Sequence, residues 1–298
     1  MPAGRPRAGD DTGGRPPDLG SAREVRALLA RHGLAPDKGY GQNFLIDRRA
    51  LAAVVDAADP RPGEHVLEVG PGLGALTRAL AERGARVLAL ELDGRLLPAL
   101  RETTDAYADR VEVRRGDALR FDHAEMPVGS VLASNLPYQI ATALLAEALA
   151  SGRYRRMGVL VQREVAERIV AGPGEPGFGA FSLICRHYAG ARIVRTVAPG
   201  CFLPPPKVTS ALVHLEPRPG AAPDPPTFAL IRAGFRHRRK TLRKNLVAAG
   251  LDADRVAGAL EQLGLDARVR AETLDLATWR ALRALLPPPP AEGEDPRG

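Results

Sequence analysis

The tetrapeptide Asn135-Leu136-Pro137-Tyr138 contains the residue types needed to activate an exocyclic amino group of a nucleobase. Such an amine is a poor nucleophile because its lone pair is delocalised into the ring. The Asn135 side-chain oxygen and the Leu136 carbonyl can accept both N–H hydrogens, which frees that lone pair. Pro137 favours an extended geometry for the residue before it, and the Tyr138 ring can stack on an unstacked base. The motif therefore predicts an acceptor site, with an ordinary turn as the alternative.

A glycine turn, GPGLG at 70–74, joins the apolar run 65–69 to a helical pattern. Missing side chains at a strand-to-helix turn let a nucleotide-like cofactor approach the backbone. The spacing also satisfies the G-x-G-x-x-G/A dinucleotide fingerprint, so an NAD-dependent oxidoreductase is a competing interpretation. Pro71 inside the turn and the acidic Glu68 before it instead favour a cofactor that has no pyrophosphate.

Two more carboxylates lie at the ends of later strand-like runs. Glu91 can accept hydrogen bonds from both ribose hydroxyls of either kind of cofactor, so it does not discriminate between them. Asp117 can accept from an adenine amino group, although an aspartate that only caps a turn fits the same sequence. These positions indicate a cofactor cleft formed where several strands end.

Strand-like runs alternate with helical patterns through the first half of the chain, over residues 65–69, 86–92, 111–119, 130–136 and 157–162. This alternation predicts an α/β fold built from βαβ units with a parallel sheet. Such sheets bind ligands at the carboxyl ends of their strands, where the two motifs above would meet. Two later runs, 191–199 and 210–217, are joined by a Pro-rich turn and predict a closing antiparallel hairpin.

Composition along the chain predicts its domain boundaries. Segments rich in Gly, Pro and charge cannot bury enough apolar area to offset ordering, so they are expected to be tails or linkers. We predict a disordered tail over 1–20, a catalytic domain over 21–217, a linker over 218–226, a helical domain over 227–286 and a second disordered tail over 287–298.

The 298-residue chain carries a formal net charge of +7, which favours a polyanionic partner.

No apolar run reaches membrane-spanning length and the N-terminus is unlike a signal peptide, so no membrane association and a cytoplasmic location are expected. Cys185 and Cys201 lack metal-ligand or CxxC spacing and the histidines are scattered singly. We therefore expect reduced thiols and no metal site. A monomer is the default expectation.

Between residues 228 and 246, apolar residues recur at helical spacing and the remaining positions are strongly basic. No acidic residue interrupts the stretch, which favours phosphate contacts over a self-neutralised solvated face. The pattern predicts a basic helix that binds RNA through Arg236, Arg239, Lys240, Arg243 and Lys244.

Five segments together resemble the ribosomal RNA adenine N6,N6-dimethyltransferase family, and most closely its bacterial small-subunit members. They are GQNFLID at 41–47, EVGPGLGALT at 68–77, NLPY at 135–138, FLPPPKVTSALV at 202–213 and FRHRRKTLRKNL at 235–246. The likeness extends over residues 38–285. It implies a class I S-adenosylmethionine-dependent methyltransferase, with a Rossmann-like, mostly parallel seven-stranded sheet and a small helical C-terminal domain.

The resemblance also implies roles for individual residues. S-adenosylmethionine would be contacted by Asn43, Leu45, Gly70, Glu91, Asp117 and Asn135. The catalytic set would be Asn135, Leu136, Pro137, Tyr138 and Phe202, with Phe202 facing Tyr138 across the target base. The sequence departs from the family pattern at Gln139, where Asn is more usual, and at Ala180, where Arg is more usual.

The activity implied is dimethylation of N6 on two adjacent adenosines in the 3′-terminal hairpin loop of 16S rRNA, within the 30S particle. Three alternatives stay open. One is a 23S rRNA adenine methyltransferase that confers macrolide resistance, and another is the NAD-dependent oxidoreductase suggested by the glycine turn. The third is an assembly factor that binds rRNA as a checkpoint and methylates incidentally.

Overall fold

The computed structural model of the chain describes residues 16–37, 39 and 41–290. The helices are α1 Ala22–Arg31, α2 Arg48–Ala58, α3 Ala75–Glu82, α4 Leu97–Thr104, α5 Ala141–Ala150, α6 Arg163–Val170, α7 Ala180–Tyr188, α8 Pro225–Gly234, α9 Leu242–Ala248, α10 Ala253–Gln262 and α11 Leu276–Leu285. The strands are β1 Phe44–Leu45, β2 His65–Val69, β3 Arg86–Glu91, β4 Val111–Arg115, β5 Ser130–Asn135, β6 Tyr154–Gln162, β7 Ala189–Val197, β8 Phe202–Leu203 and β9 Ser210–Pro217. Within these ranges no helix has the length and apolar character needed to cross a membrane.

Seven strands form one sheet in the order β4-β3-β2-β5-β6-β9-β7. The neighbours from β4 to β6 are parallel, whereas β9 is antiparallel to both β6 and β7. The mostly parallel seven-stranded sheet is therefore confirmed, and the predicted antiparallel hairpin is formed by β7 and β9. Separately, β1 and β8 pair as a short antiparallel ribbon, with Leu45 opposite Phe202.

Helices cover both faces of this sheet. Val66 and Val131 belong to a buried cluster that includes α2 and α3, whereas Leu67 and Leu132 belong to a second cluster that includes α5, α6 and α7. Successive strand residues point to opposite faces, so the continuous apolar runs of β2 and β5 bury both. The carboxyl ends of the central strands are left as the place where a ligand can enter.

The helices α8 to α11 form the helical region predicted from residue 227 onward. Helix α8 begins at Pro225, inside the predicted linker 218–226, because Asp224 accepts a hydrogen bond from the Thr227 N–H at 3.2 Å and caps it. Trp279 of α11 is fully buried, and its cluster is the one that contains α5, α6 and α7. These helices therefore pack directly onto one side of the α/β unit.

The prediction of one continuous basic helix over 228–246 is wrong. Helix α8 ends at Gly234, and a turn over 235–241 precedes α9. Gly234 is required where the chain passes Trp279, because a Cβ there would lie 2.3 Å from that ring. Thr241 then caps the new helix through its hydroxyl. Arg236, Arg239 and Lys240 consequently lie in the turn, and Arg243 and Lys244 lie in the first turn of α9.

Part of the predicted N-terminal tail is packed. Residues 1–15 and 291–298, which hold most of both predicted tails, lie outside the described residues. Leu19 is nevertheless 5% exposed and shares a buried cluster with Val25 and Leu73, and Asp18 forms an ion pair with Arg48. Ordered contacts therefore begin before the predicted boundary at residue 21, because one apolar side chain fills a gap beside α1 and α3.

We predict that Gly158→Ala on β6 destabilises the fold by about 1–3 kcal/mol. A Cβ at Gly158 would lie 2.6 Å from the Ala58 backbone nitrogen of α2, and this backbone cannot rotate away. Gly190→Ala on the edge strand β7 is the matched control, since no atom of the described residues lies within 4 Å of its Cβ position. Urea unfolding of both variants measures the difference, and equal free energies of unfolding would contradict the packing argument.

Candidate active site

A single cleft opens at the carboxyl ends of β2, β3, β4 and β5. The predicted site residues that line it are Asn43, Leu45, Gly70, Glu91, Asp117, Asn135, Leu136, Pro137 and Tyr138. All of the predicted cofactor contacts are thus brought to one cavity, together with the tetrapeptide that follows β5. Parallel strands end at the same edge, so residues far apart in sequence meet there.

The glycine turn forms the floor of this cleft. Gly72 has φ of +59°, a left-handed conformation that favours glycine, and its N–H donates to Glu91 Oε2 at 3.1 Å. A Cβ at Gly72 would lie 2.9 Å from the Phe44 ring, so the turn also depends on close packing against β1. The turn and the end of β3 are therefore locked together before any ligand binds.

Glu91 is nearly buried and its carboxylate is already held by the backbone. Oε1 accepts from the Asp93 N–H at 2.9 Å, while Oε2 accepts from Gly72. Burial raises the pKa of Glu91, and these two backbone donors oppose that rise. Each oxygen retains a further lone pair that can accept from a hydroxyl group of a ligand.

Glu68 of β2 also lines the cleft, although it was not among the predicted cofactor contacts. Its side chain is 2% exposed and lines the cleft, and its Oε2 has no hydrogen-bond partner in the described part of the chain. Burial raises the pKa of Glu68 to about 8, the Glu91 carboxylate adds to this rise, and the Thr77 hydroxyl opposes it. A cationic ligand would relieve this desolvated acid.

Asn135 has one defined orientation. Its Nδ2 donates to the Asn43 carbonyl at 3.1 Å. A carbonyl can only accept, so the amide nitrogen must point toward Asn43 and the oxygen away from it. The Asn135 side chain therefore offers a hydrogen-bond acceptor at the cleft, as its predicted role requires.

Leu136, Pro137 and Tyr138 of the tetrapeptide also line the cleft. The Leu136 N–H donates to the Leu160 carbonyl at 3.0 Å, which extends the pairing with β6 by one residue. The Tyr138 hydroxyl lies 2.8 Å from the Ser210 hydroxyl of β9 and the ring lines the cleft. Burial raises the pKa of Tyr138, so the phenol stays neutral. Tyr138 is thus fixed at its tip, with its ring at the cavity.

Asp117 combines the two functions that its sequence allows. Its Oδ1 accepts from the Leu119 N–H at 3.0 Å and caps a short turn. The residue also lines the cleft, and Oδ2 lies 3.8 Å from Arg120. The capping role and the predicted contact to a ligand are therefore compatible in one side chain.

Phe202 is buried where β8 pairs with β1. The side chain is 2% exposed, belongs to the buried cluster that contains Leu45 and Leu212, and is not among the described residues that line the cleft. The pairing of β8 with β1 explains this position, because it sets Phe202 opposite Leu45. The position of Phe202 facing Tyr138 across the target base stays a prediction.

The predicted RNA-binding residues form a separate surface. The exposed cations Arg236, Arg239, Lys240, Arg243 and Lys244 surround the end of α8 and the start of α9, and we call them the basic turn. Asn245, which is 1% exposed, holds the backbone of the basic turn by donating to the carbonyls of Gly234 at 2.6 Å and His237 at 3.1 Å.

Comparison with known proteins agrees with this geometry. The family model described as ribosomal RNA adenine dimethylase matches residues 35–282. Two similar relatives are named Ribosomal RNA small subunit methyltransferase A. That of Deinococcus radiodurans is 48% identical over 90% of this chain and 91% of its own, and that of Geobacillus thermodenitrificans is 38% identical over 91% and 98%.

Solved structures share the fold. A dimethyladenosine transferase from Plasmodium falciparum superposes with a TM-score of 0.69 at 24% identity, covering 79% of this chain and 94% of its own. The 23S rRNA methyltransferase ErmE gives a TM-score of 0.63 at 26% identity, covering 82% and 99%.

The sheet order, the glycine turn and the cleft define a class I S-adenosylmethionine-dependent methyltransferase. The family match covers most of the chain. The chain belongs to the ribosomal RNA adenine dimethylase family, which excludes the NAD-dependent oxidoreductase considered from the glycine spacing.

We predict that raising the pH from 5 to 8 lowers the thermal stability of the ligand-free protein relative to Glu68→Gln. The Glu68 carboxyl has a pKa of about 8 when folded and 4.5 as its ordinary value, so across this range the folded state retains a proton that the unfolded state has mostly lost, and stability falls as pH rises. Melting temperatures of both proteins at each pH measure the effect. A difference that does not change with pH would show that Glu68 is ionised in the folded protein.

Proposed function

We propose that this enzyme uses S-adenosylmethionine to dimethylate N6 of two adjacent adenosines in the 3′-terminal hairpin loop of 16S rRNA within the 30S particle. The observation that carries this proposal is the fixed orientation of the Asn135 amide, whose oxygen remains available at the cleft. The small-subunit names of relatives that are 38% and 48% identical over most of this chain support the choice of rRNA.

The cleft suits S-adenosylmethionine, which supplies an electrophilic methyl group on a positively charged sulfur. The unpartnered carboxylate oxygen of Glu68 fits a positively charged ligand, because a cation would stabilise its ionised form. Glu91 can accept from ribose hydroxyls with its remaining lone pairs, and Asp117 can accept from an adenine amino group. The glycine turn lines the same cleft, so its backbone lies beside the space available to the ligand.

Activation of the adenine amine follows from the tetrapeptide. The Asn135 oxygen and the Leu136 carbonyl accept the two N6 hydrogens, which localises the lone pair on the nitrogen that must attack the methyl group. Tyr138 stacks on the flipped base, and its hydroxyl bond to Ser210 restricts the ring. No group with an unusual pKa is needed as a base, because the proton leaves only after the nitrogen has become cationic.

The same hydrogen bonds account for two successive transfers. After the first methyl group is added, N6 keeps one hydrogen that can still bind one acceptor. After the second it has none, so the Asn135 and Leu136 oxygens lose their donors and the product is held less tightly than the substrate. The chemistry of the acceptor site thereby favours release of the dimethylated base.

We propose that the basic turn supplies affinity for the rRNA backbone. Its five cations are exposed, and charge neutralisation of phosphates is the dominant sequence-independent contribution to such binding. Asn245 holds the turn in one shape through two backbone carbonyls. Phosphate contacts would set the register of the RNA, while selection of the target base belongs to the cleft.

The alternatives differ in their support. The 23S rRNA methyltransferase is less similar, at 26% identity, than the small-subunit relatives at 38% and 48%. An assembly factor that methylates incidentally would share the basic turn, so only experiments on ribosome assembly distinguish it. A cytoplasmic monomer that acts on the assembling subunit completes the proposal.

We predict that the purified enzyme transfers radiolabelled methyl from S-adenosylmethionine to undermethylated 30S particles, with dimethyladenosine confined to 16S rRNA. Nucleoside analysis of labelled 30S and 50S particles measures this. Label in 23S rRNA would instead support the resistance activity. Asn135→Ala should abolish transfer, and normal ribosome assembly in cells carrying this variant would show that the binding role is secondary.

We also predict that Lys240→Ala with Arg243→Ala weakens binding to 30S particles and reduces the slope of log affinity against log salt by about 1 for each lost phosphate contact. The charge-matched control is Arg110→Ala with Arg114→Ala at the β4 edge, where both side chains pair with carboxylates. Filter binding at several salt concentrations measures both pairs. An equal change of slope in the control would show that net charge alone is responsible.

A further inference from the structure

Of the described residues between α1 and β1, Gly41, Gln42 and Asn43 line the cleft, and Gln42 ties this segment to Asp93, which follows β3. The Gln42 Oε1 accepts from the Asp37 N–H at 2.8 Å, and its Nε2 donates to Asp93 Oδ2 at 2.8 Å. The Gln42 amide therefore uses both of its ends: the oxygen binds Asp37 in the same segment, and the nitrogen binds Asp93, which follows β3. Gln42 also lines the cleft.

Asp93 is itself held in place, so it offers a fixed acceptor to the Gln42 amide. Its side chain is nearly buried, and Arg95 donates to both of its oxygens. These bonds to Arg95 hold the pKa of Asp93 below its usual range, so it remains an acceptor at all ordinary pH values. Arg95 also pairs with Asp37 at 2.8 Å, which fastens the start of the segment to the same point.

The far end of the segment controls the acceptor site. Asn43 directly follows Gln42, and its carbonyl receives the Asn135 Nδ2 hydrogen bond that sets which end of the Asn135 amide faces the cleft. The Asn43 side chain bonds back to the Gly41 carbonyl at 3.0 Å and stiffens this corner. Two hydrogen bonds, joined by the peptide backbone between Gln42 and Asn43, thus connect Asp93 to Asn135.

Asp93 also contacts Glu91, which is on the side of the cleft proposed to bind the cofactor. The Asp93 N–H donates to Glu91 Oε1 at 2.9 Å, so the residue that holds Gln42 also positions the carboxylate assigned to the ribose. Without these contacts the Asn135 amide could rotate and present its NH₂ group to the N–H hydrogens of adenine. That orientation repels the substrate amine instead of activating it.

We propose that Gln42 and Asp93 are positioning residues for methyl transfer, which keep the Asn135 oxygen aimed at the adenine amine by holding the Asn43 carbonyl. This inference rests on the proposed function. It assigns to Gln42 an effect on the chemical step rather than on binding, because Gln42 acts through the backbone of its neighbour.

Gln42→Ala and the near-isosteric Gln42→Glu test this assignment, since neither can donate to Asp93. We expect kcat for methyl transfer to 30S particles to fall about 10-fold, because small misplacements at a reacting centre have effects of this order. The KM for 30S particles and the Kd of S-adenosylmethionine should change less than about 3-fold. Arg155→Ala, which removes an ion pair with Glu64 at 2.5 Å, is the control for lost stability. It should lower the melting temperature and leave kcat unchanged.

A double-mutant cycle tests whether Gln42 affects kcat through the Asn135 amide. Asn135→Asp keeps acceptor oxygens but cannot donate to the Asn43 carbonyl, so adding Gln42→Ala should cause no further loss of kcat. Losses that multiply, or a Gln42→Ala defect confined to KM or Kd, would overturn the inference. If the unmutated enzyme fails to methylate 16S rRNA, the proposed function fails instead, and the two failures are distinct.

Discussion

Burial of both faces of the central parallel strands determines where chemistry can occur in this protein. Val66 and Leu67 on β2, like Val131 and Leu132 on β5, point into two different cores, so helices must cover both sides of the sheet. Polar groups and a ligand can then enter only past the strand ends. Glu68 is close enough to the end of β2 to be buried and still line the cleft.

The carboxylates of Glu68, Glu91 and Asp93 lie at or just after these strand ends, and they differ in the hydrogen bonds that they receive. Asp93 is satisfied by Arg95 and Gln42, and Glu91 by two backbone N–H groups. Glu68 is left with an oxygen that has no hydrogen-bond partner among the described residues, and its pKa is raised. The carboxylate that lacks a cation thus lies in the cavity where a cationic cofactor would bind, while the satisfied carboxylates hold the surrounding backbone in place.

The acceptor side depends on orientation more than on charge. An asparagine amide has a donor end and an acceptor end of nearly equal size, so packing alone cannot select between them. The Asn43 carbonyl makes that selection for Asn135, and the Ser210 hydroxyl fixes the tip of Tyr138. The basic turn lies on the helices that pack against α6 and α7, whereas Asn135 and Tyr138 line the cleft at the strand ends.

Local patterns in the sequence determined the order of strands and helices, the glycine turn, the tetrapeptide and the cationic character of residues 236–244, because periodicity and residue type are local properties. Only the tertiary structure showed that the basic stretch breaks after Gly234, where the chain passes Trp279 too closely to admit a side chain. It likewise buried Phe202 beside Leu45 and brought Gln42 to Asp93. These outcomes depend on contacts between residues distant in the chain, and such contacts leave no periodic signal in the sequence.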